Sequence, residues 1–316
     1  MKQFAFVFPG QGSQSVGMLD AWGDHSLVAQ TLKEASDALG EDLGRLIHEG
    51  PKEDLALTSN TQPVMLVAGV AAYRVWMSEV GVVPNAVAGH SLGEYTALVA
   101  AGALTLAQAV PLVRLRAQAM QEAVPVGTGA MAAILGMDAA KVAAGCLEVT
   151  QSFGAQSNEV VEAANFNDPS QTVISGSKLA VERACELLKA NGAKRALPLP
   201  VSAPFHSSLM RPAAEKLRER LEAIEFATPQ IALINNIDVA IEMDADRICD
   251  ALYRQAFGPV RWVECMQAIK ARGLETVVEC GPGKVLAGMV KRIDAGMTGM
   301  PLFDPASLLE VKGAVA

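Results

Sequence analysis

A glycine on each side of a serine, between an apolar run and a helix-like one, admits few backbones. The run Gly89-His90-Ser91-Leu92-Gly93 has this form. Residues 85–88 suit a short strand and 92–104 suit a helix. A strand that turns sharply into a helix brings two backbones too close for a Cβ, which calls for glycine. The same turn lifts the serine hydroxyl to the top of a sheet. Ser91 is therefore a candidate nucleophile for acyl-serine chemistry. Taken alone, the five residues also fit a Gly-rich turn with a solvated serine.

The 316 residues suffice for one large domain, or for a core with a smaller insert. At 51% hydrophobic and 19% charged, the chain can build a sizeable core, and disorder is not expected. Aromatics are only 5%, so Ala, Val, Leu and Gly must fill much of that core. Cys146, Cys185, Cys249, Cys265 and Cys280 are scattered and odd in number, with no Cys-x-x-Cys. That argues against a disulfide framework or structural zinc, and for a reducing cytoplasm. Only five apolar residues stand between Lys2-Gln3 and Pro9, too few for a signal-peptide core. The longest apolar stretch, 64–73, is too short for a membrane span. The expectation is a soluble, cytoplasmic protein. A net charge of −8 with no Lys/Arg-rich run argues against a nucleic-acid partner.

The pattern predicts a buried strand over 3–8, helices over 26–39, 62–80 and 105–123, and strands over 86–89 and 275–279. Each of the last two strands runs through glycine into a helix, which points to an α/β fold with a parallel sheet covered on both faces. The middle differs: strand 130–136, helix 138–149, strands 159–165 and 172–175, helix 178–190, strand 194–199. This β-α-β-β-α-β order is that of a ferredoxin-like module. Gly127-Thr128-Gly129 and the stretch 198–204 bracket it as hinges. The expected division is a core of 1–127 and 203–316 with an insert of 128–202.

A serine hydroxyl needs a base, and the histidines are His25, His48, His90 and His206. His25 and His48 stand in polar helix-end contexts that suit a surface. His90 lies inside the turn, where packing is the better reading. His206, in Ser202-Ala203-Pro204-Phe205-His206-Ser207-Ser208, sits at the domain junction and follows the serine in chain order. No carboxylate announces itself as a third member: Glu94 is close to Ser91, and the other acids fall in helices that read as solvated. Oxyanion donors are expected from the Leu92 N–H and from the loop Phe8-Pro9-Gly10-Gln11-Gly12-Ser13-Gln14. That loop could also cradle phosphate, but it lacks the Lys-Ser/Thr of a P-loop.

Further motifs follow in one order: Thr61-Gln62-Pro63, the serine turn continued by Glu94-Tyr95, Arg116 with Met120-Gln121, Asn165-Phe166-Asn167, Ala203 to Ser207, and Glu279-Cys280-Gly281-Pro282-Gly283-Lys284. Together with the 8–14 loop they resemble the malonyl-CoA:acyl carrier protein transacylases of type II fatty acid synthesis, from about residue 3 to about 305. The resemblance implies an α/β-hydrolase-like core with a ferredoxin-like insert. It implies Ser91 as nucleophile, His206 as general base, and the Gln11 and Leu92 N–H groups as oxyanion hole. In this family a backbone carbonyl orients the histidine, and Gln255 stands at that position. Arg116 would pair with the malonate carboxylate, since a planar fork holds a carboxylate by two hydrogen bonds. Read without the family, Arg116 is a surface arginine like Arg114. Met120, Phe205, Gln62 and Asn165 would line the substrate site, with Phe205 crowding an α-methyl group and so disfavouring methylmalonyl-CoA.

The implied acceptor is the phosphopantetheine thiol of holo acyl carrier protein, with no metal or redox cofactor and a monomeric enzyme. An acidic carrier meeting an acidic chain needs a local basic patch. The candidates are Lys189, Lys194 and Arg195 on the insert and Lys284, Lys291 and Arg292 on the core. Ordinary solvated charge is the competing reading of all six. A serine hydrolase or thioesterase would share the nucleophile with water as acceptor, but would have no use for an arginine clamp. A trans-acting acyltransferase of a polyketide synthase would carry nearly the same motifs. An inactive scaffold would be expected to lose Ser91, His206 or Arg116.

Overall fold

The computed structural model describes residues 2–154, 156–201 and 203–316. Nine strands are found among them: β1 (Phe4–Phe8), β2 (Ala86–Gly89), β3 (Gly129–Leu135), β4 (Val161–Asp168), β5 (Gln171–Ser177), β6 (Arg195–Pro198), β7 (Ala232–Ile234), β8 (Thr276–Cys280) and β9 (Thr298–Leu302). They form a five-stranded parallel sheet in the order β7-β2-β1-β8-β9 and a separate four-stranded sheet in the order β4-β5-β3-β6. Every pair in the second sheet is antiparallel. Strands β3 to β6 lie within 129–198 and the other five lie outside that range; Met1 and Ser202, at two bounds of the expected division, lie outside the described residues.

Alternation along β1 explains how the large sheet is covered. Phe4, Phe6 and Phe8 join the core formed with helices Thr58–Glu79 and Leu106–Glu122. Ala5 and Val7 join a second core with helices Trp262–Ala271 and Val285–Ile293. A strand buried on both faces reads as continuous apolar sequence, as Phe-Ala-Phe-Val-Phe does. The few aromatics are concentrated here: Phe4 and Phe6 meet Trp76 edge-to-face at centroid distances of 5.9 and 5.5 Å, and Phe8 meets Tyr73 at 6.3 Å.

The β-α-β-β-α-β order of the middle segment is present, with helices Ala139–Ser152 and Lys178–Ala190 packed on one face of the small sheet. Helix Ser26–Leu39 has the expected bounds and ends on Gly40 in the left-handed region. The helix expected at 62–80 instead spans Thr58–Glu79 with Pro63 inside it. Proline reads as a helix start, but here it sits in the second turn and merely forfeits one backbone bond. Among the described residues, no helix is long and apolar enough to cross a membrane.

The order of the large sheet positions the site. The chain builds outward from β1 to β2 and β7 on one side, then crosses back to β8 and β9 on the other, and ligands in such sheets bind beyond the carboxyl ends at that point. The 9–14 loop, the turn at Ser91 and the Gly281-Pro282-Gly283 turn all emerge at this edge. A short β4 segment ties the small sheet to the stretch just before helix Trp262–Ala271: Phe166 N–H donates to Val260 O at 3.0 Å and Val260 N–H to Ala164 O at 2.8 Å.

Candidate active site

The turn after β2 is as tight as the sequence requires. A Cβ on Gly89 would lie 1.9 Å from Gly93 C, and one on Gly93 would lie 2.1 Å from Phe8 O. Both obstacles are backbone, so neither can swing aside. Gly89→Ala is expected to destabilise the chain by about 3 kcal/mol or more. Chemical denaturation checks this, and a midpoint equal to wild type would contradict so close an approach of strand and helix.

Ser91 at φ 53° and His206 at φ 61° are two of only three non-glycine residues in the left-handed region among the described residues. Such backbone costs about 1–3 kcal/mol and persists where surroundings over-determine it. The third is Val239, and the other two are the candidate nucleophile and base. Ser91 Oγ lies 2.7 Å from His206 Nε2. His206 Nδ1 faces two carbonyl oxygens, Gln255 O at 3.0 Å and Gly258 O at 3.2 Å. Carbonyls only accept, so Nδ1 carries the proton and Nε2 presents its lone pair to the hydroxyl. Burial, and then the Arg116 charge, push the imidazole down to about 3. It is thus a neutral base at any physiological pH.

Arg116 is 2% exposed, so the surface reading of that residue is excluded. Its Nη1 donates to Gln62 Oε1 at 2.8 Å, and its Nη2 donates to Ser91 Oγ and Gln255 Oε1, each at 3.1 Å. The guanidinium therefore stands beside the Ser91 hydroxyl, fixed by two neutral side chains. A cavity of about 600 Å³ opens over Ser91, bordered by Gln11, Leu92, Met120, Asn165 and Phe205. Among the described residues, neither the Gln11 nor the Leu92 backbone N–H donates a hydrogen bond within the protein. His90 takes the packing role expected of it: its Nε2 donates to Asn167 Oδ1 at 2.8 Å, joining the turn to β4.

The expectation that the acids other than Glu94 are solvated is corrected by Glu279 at 0% exposure and Asp168 at 3%, and Glu94 itself is 1% exposed. Burial pushes Glu94 and Glu279 up to about 7. Two further participants were not found from sequence. Asn236 Oδ1 accepts the Ser91 N–H at 2.7 Å, and its Nδ2 donates to Gly89 O at 2.7 Å. Gly258 supplies the second carbonyl to His206. The run 231–236, Ile-Ala-Leu-Ile-Asn-Asn, carried a usable signal: a short apolar strand followed by polar residues at its carboxyl end.

The six basic candidates do not form one patch. Lys189 belongs to the helix that covers one face of the small sheet, whereas Met131, Ala133 and Val173 on the opposite face border the cavity. Arg195 pairs in register with Leu135, two positions beyond Ala133, and so shares the cavity face. Arg292 Nε donates to the buried Asp168 Oδ2 at 2.9 Å, bridging the core helix Val285–Ile293 to β4. Lys194, Lys284 and Lys291 are exposed.

The acyl transferase domain family matches residues 5–297. The malonyl CoA-acyl carrier protein transacylase of Escherichia coli strain K12 is 52% identical over 309 residues, covering 98% of each chain. The crystal structure of the acyl-carrier-protein S-malonyltransferase from Burkholderia pseudomallei 1710b is 60% identical, covers 99% of this chain and 100% of that one, and superposes with a TM-score of 0.95. A malonyl-transacylase solved in complex with its type II polyketide acyl-carrier protein is 49% identical, with 99% and 100% coverage and a TM-score of 0.95. A neutral histidine on a strained serine, beside a buried arginine, thus occurs in a chain that belongs to the malonyl CoA-acyl carrier protein transacylases of the acyl transferase domain family.

Proposed function

We propose that this chain moves a malonyl group from malonyl-CoA to the phosphopantetheine thiol of an acyl carrier protein through a malonyl-serine at Ser91. Malonyl transfer to acyl carrier protein is the activity named for its relatives at 52% identity and nearly full coverage. The observation that carries the residue roles is one oxygen with two neighbours: Ser91 Oγ at 2.7 Å from His206 Nε2 and 3.1 Å from Arg116 Nη2.

His206 takes the hydroxyl proton as Ser91 attacks the thioester carbonyl. The Gln11 and Leu92 N–H groups receive the oxyanion. CoA leaves as a thiol, protonated by His206, and the carrier thiol then reverses the sequence on the malonyl-serine. Arg116 receives the free carboxylate, and Gln62, Met120, Asn165 and Phe205 shape the pocket around it. No metal or redox cofactor enters these steps.

The small-sheet order β4-β5-β3-β6, with both helices on one face, supports a ferredoxin-like insert on a hydrolase-like core. Of the basic residues, Arg195, Lys284 and Arg292 are the better docking candidates, because their segments border the cavity face. A polyketide carrier is the second reading of the acceptor, favoured by the relative solved with such a protein. Initial rates over a grid of malonyl-CoA and holo acyl carrier protein test the reaction. Parallel double-reciprocal lines are expected; intersecting lines, or release of free malonate at the transfer rate, would reject a two-step transferase.

A further inference from the structure

The acyl-serine reading leaves one buried ionisable group beside the nucleophile without a task. Glu94 follows Gly93 in the first turn of helix Gly93–Ala100 and is 1% exposed. A carboxylate so placed costs free energy unless donors meet it. Two do, and both meet the same atom: the Asn236 N–H at 2.9 Å and Gln255 Nε2 at 3.0 Å each donate to Glu94 Oε2.

The two donors are the residues that hold the reacting pair. Asn236 Oδ1 accepts the Ser91 N–H at 2.7 Å, while Gln255 Nε2 also donates to Ser91 O at 3.0 Å. Both backbone polar groups of the strained serine are therefore held by residues anchored on one oxygen. The Gln255 carbonyl accepts from His206 Nδ1 at 3.0 Å, and its Oε1 accepts from Arg116 Nη2 at 3.1 Å. The Gln255 amide thus lies between a buried cation and a buried carboxylate, so its orientation is fixed from both ends. Glu94 is 1% exposed inside this frame and touches neither Ser91 Oγ nor His206 in any hydrogen bond among the described residues.

We propose that Glu94 is the positioning residue of this site: its Oε2 holds Asn236 and Gln255 where they orient Ser91 and His206. The proposal rests on Ser91 being the nucleophile. What matters is an acceptor oxygen at that point, because Oε1 enters neither bond. Glutamine can place an oxygen there. Aspartate keeps the charge but is one methylene short, and leucine supplies no acceptor.

The test is the single-turnover rate constant for malonylation of Ser91, read by rapid quench and intact-protein mass, with the KM for malonyl-CoA and the thermal midpoint measured alongside. Glu94→Gln is expected to lose about 2- to 5-fold in rate. Glu94→Asp and Glu94→Leu are expected to lose about 100-fold or more, with KM within about 3-fold of wild type, because a 1 Å misplacement of reacting groups costs that much. Should Glu94→Leu not fold, Glu94→Asp against Glu94→Gln carries the comparison. A folded Glu94→Asp enzyme within 3-fold of wild type, or Glu94→Gln as slow as Glu94→Asp, overturns the proposal. Wild-type protein that takes no malonyl group would reject the acyl-serine reading itself, and the role of Glu94 with it.

Discussion

Ser91→Ala and His206→Ala are each expected to lower kcat/KM for malonyl transfer by about 10⁴- to 10⁶-fold, and the double variant by no more than the slower single one. The 2.7 Å contact between Ser91 Oγ and His206 Nε2 is the reason to expect that the two act as one unit. The pH dependence follows from the environment of His206. Burial and the Arg116 charge depress it to about 3, against an ordinary value of about 6.5. Between those values the folded chain keeps the ring neutral, while the unfolded chain would protonate it. Its contribution to stability is therefore fully present above about pH 6.5 and is lost as pH falls toward 3. The acid limb that His206 imposes on kcat/KM is likewise expected far below 6.5. A limb near 6.5 in the pH–rate profile, or a double variant much slower than either single, would contradict this description.

Arg116→Gln is expected to lower kcat/KM for malonyl-CoA by about 10²- to 10⁴-fold and to change that for acetyl-CoA by less than about 10-fold. Removing the buried partner of a carboxylate costs about 3–5 kcal/mol, because the carboxylate is then desolvated without compensation. Acetyl-CoA carries no carboxylate and loses nothing of this kind. The variant also removes one of the three causes that depress His206, so its acid limb with acetyl-CoA is expected at higher pH than in wild type. Specificity constants for both thioesters, across pH, check the two effects together. Equal losses with malonyl-CoA and acetyl-CoA would mean that Arg116 supports the pocket rather than the malonate group.

Features set by local chemistry could be read from the chain. The glycines at 89 and 93 stand where any Cβ would strike backbone, so the strand-turn-helix at Ser91 was legible from five residues. Helix Ser26–Leu39 was legible because its apolar period and Gly40 stop agree. The edge strands β7 and β9 were not read. β7 has three residues, and β9 contains Pro301, which an edge tolerates but which reads as a breaker. Residues defined by tertiary approach were equally hidden. Asn236 reaches Ser91 across 145 positions, and Gln255 Nε2 reaches Glu94 across 161. Glu94 left one trace, the lone charge in the mostly apolar helix Gly93–Ala100. Arg116 could be placed in a pocket only through the family, because its helix also carries Arg114 two positions earlier, in the same local composition.

The central claim is a malonyl ester on Ser91, and the most direct measurement is intact-protein mass after brief exposure to malonyl-CoA, for wild type and Ser91→Ala. Malonylation of Ser91 predicts one malonyl increment on wild type, none on the variant, and loss of the increment when holo acyl carrier protein is added. An increment that survives in Ser91→Ala, or a wild-type protein that remains unmodified while transfer proceeds, would contradict it.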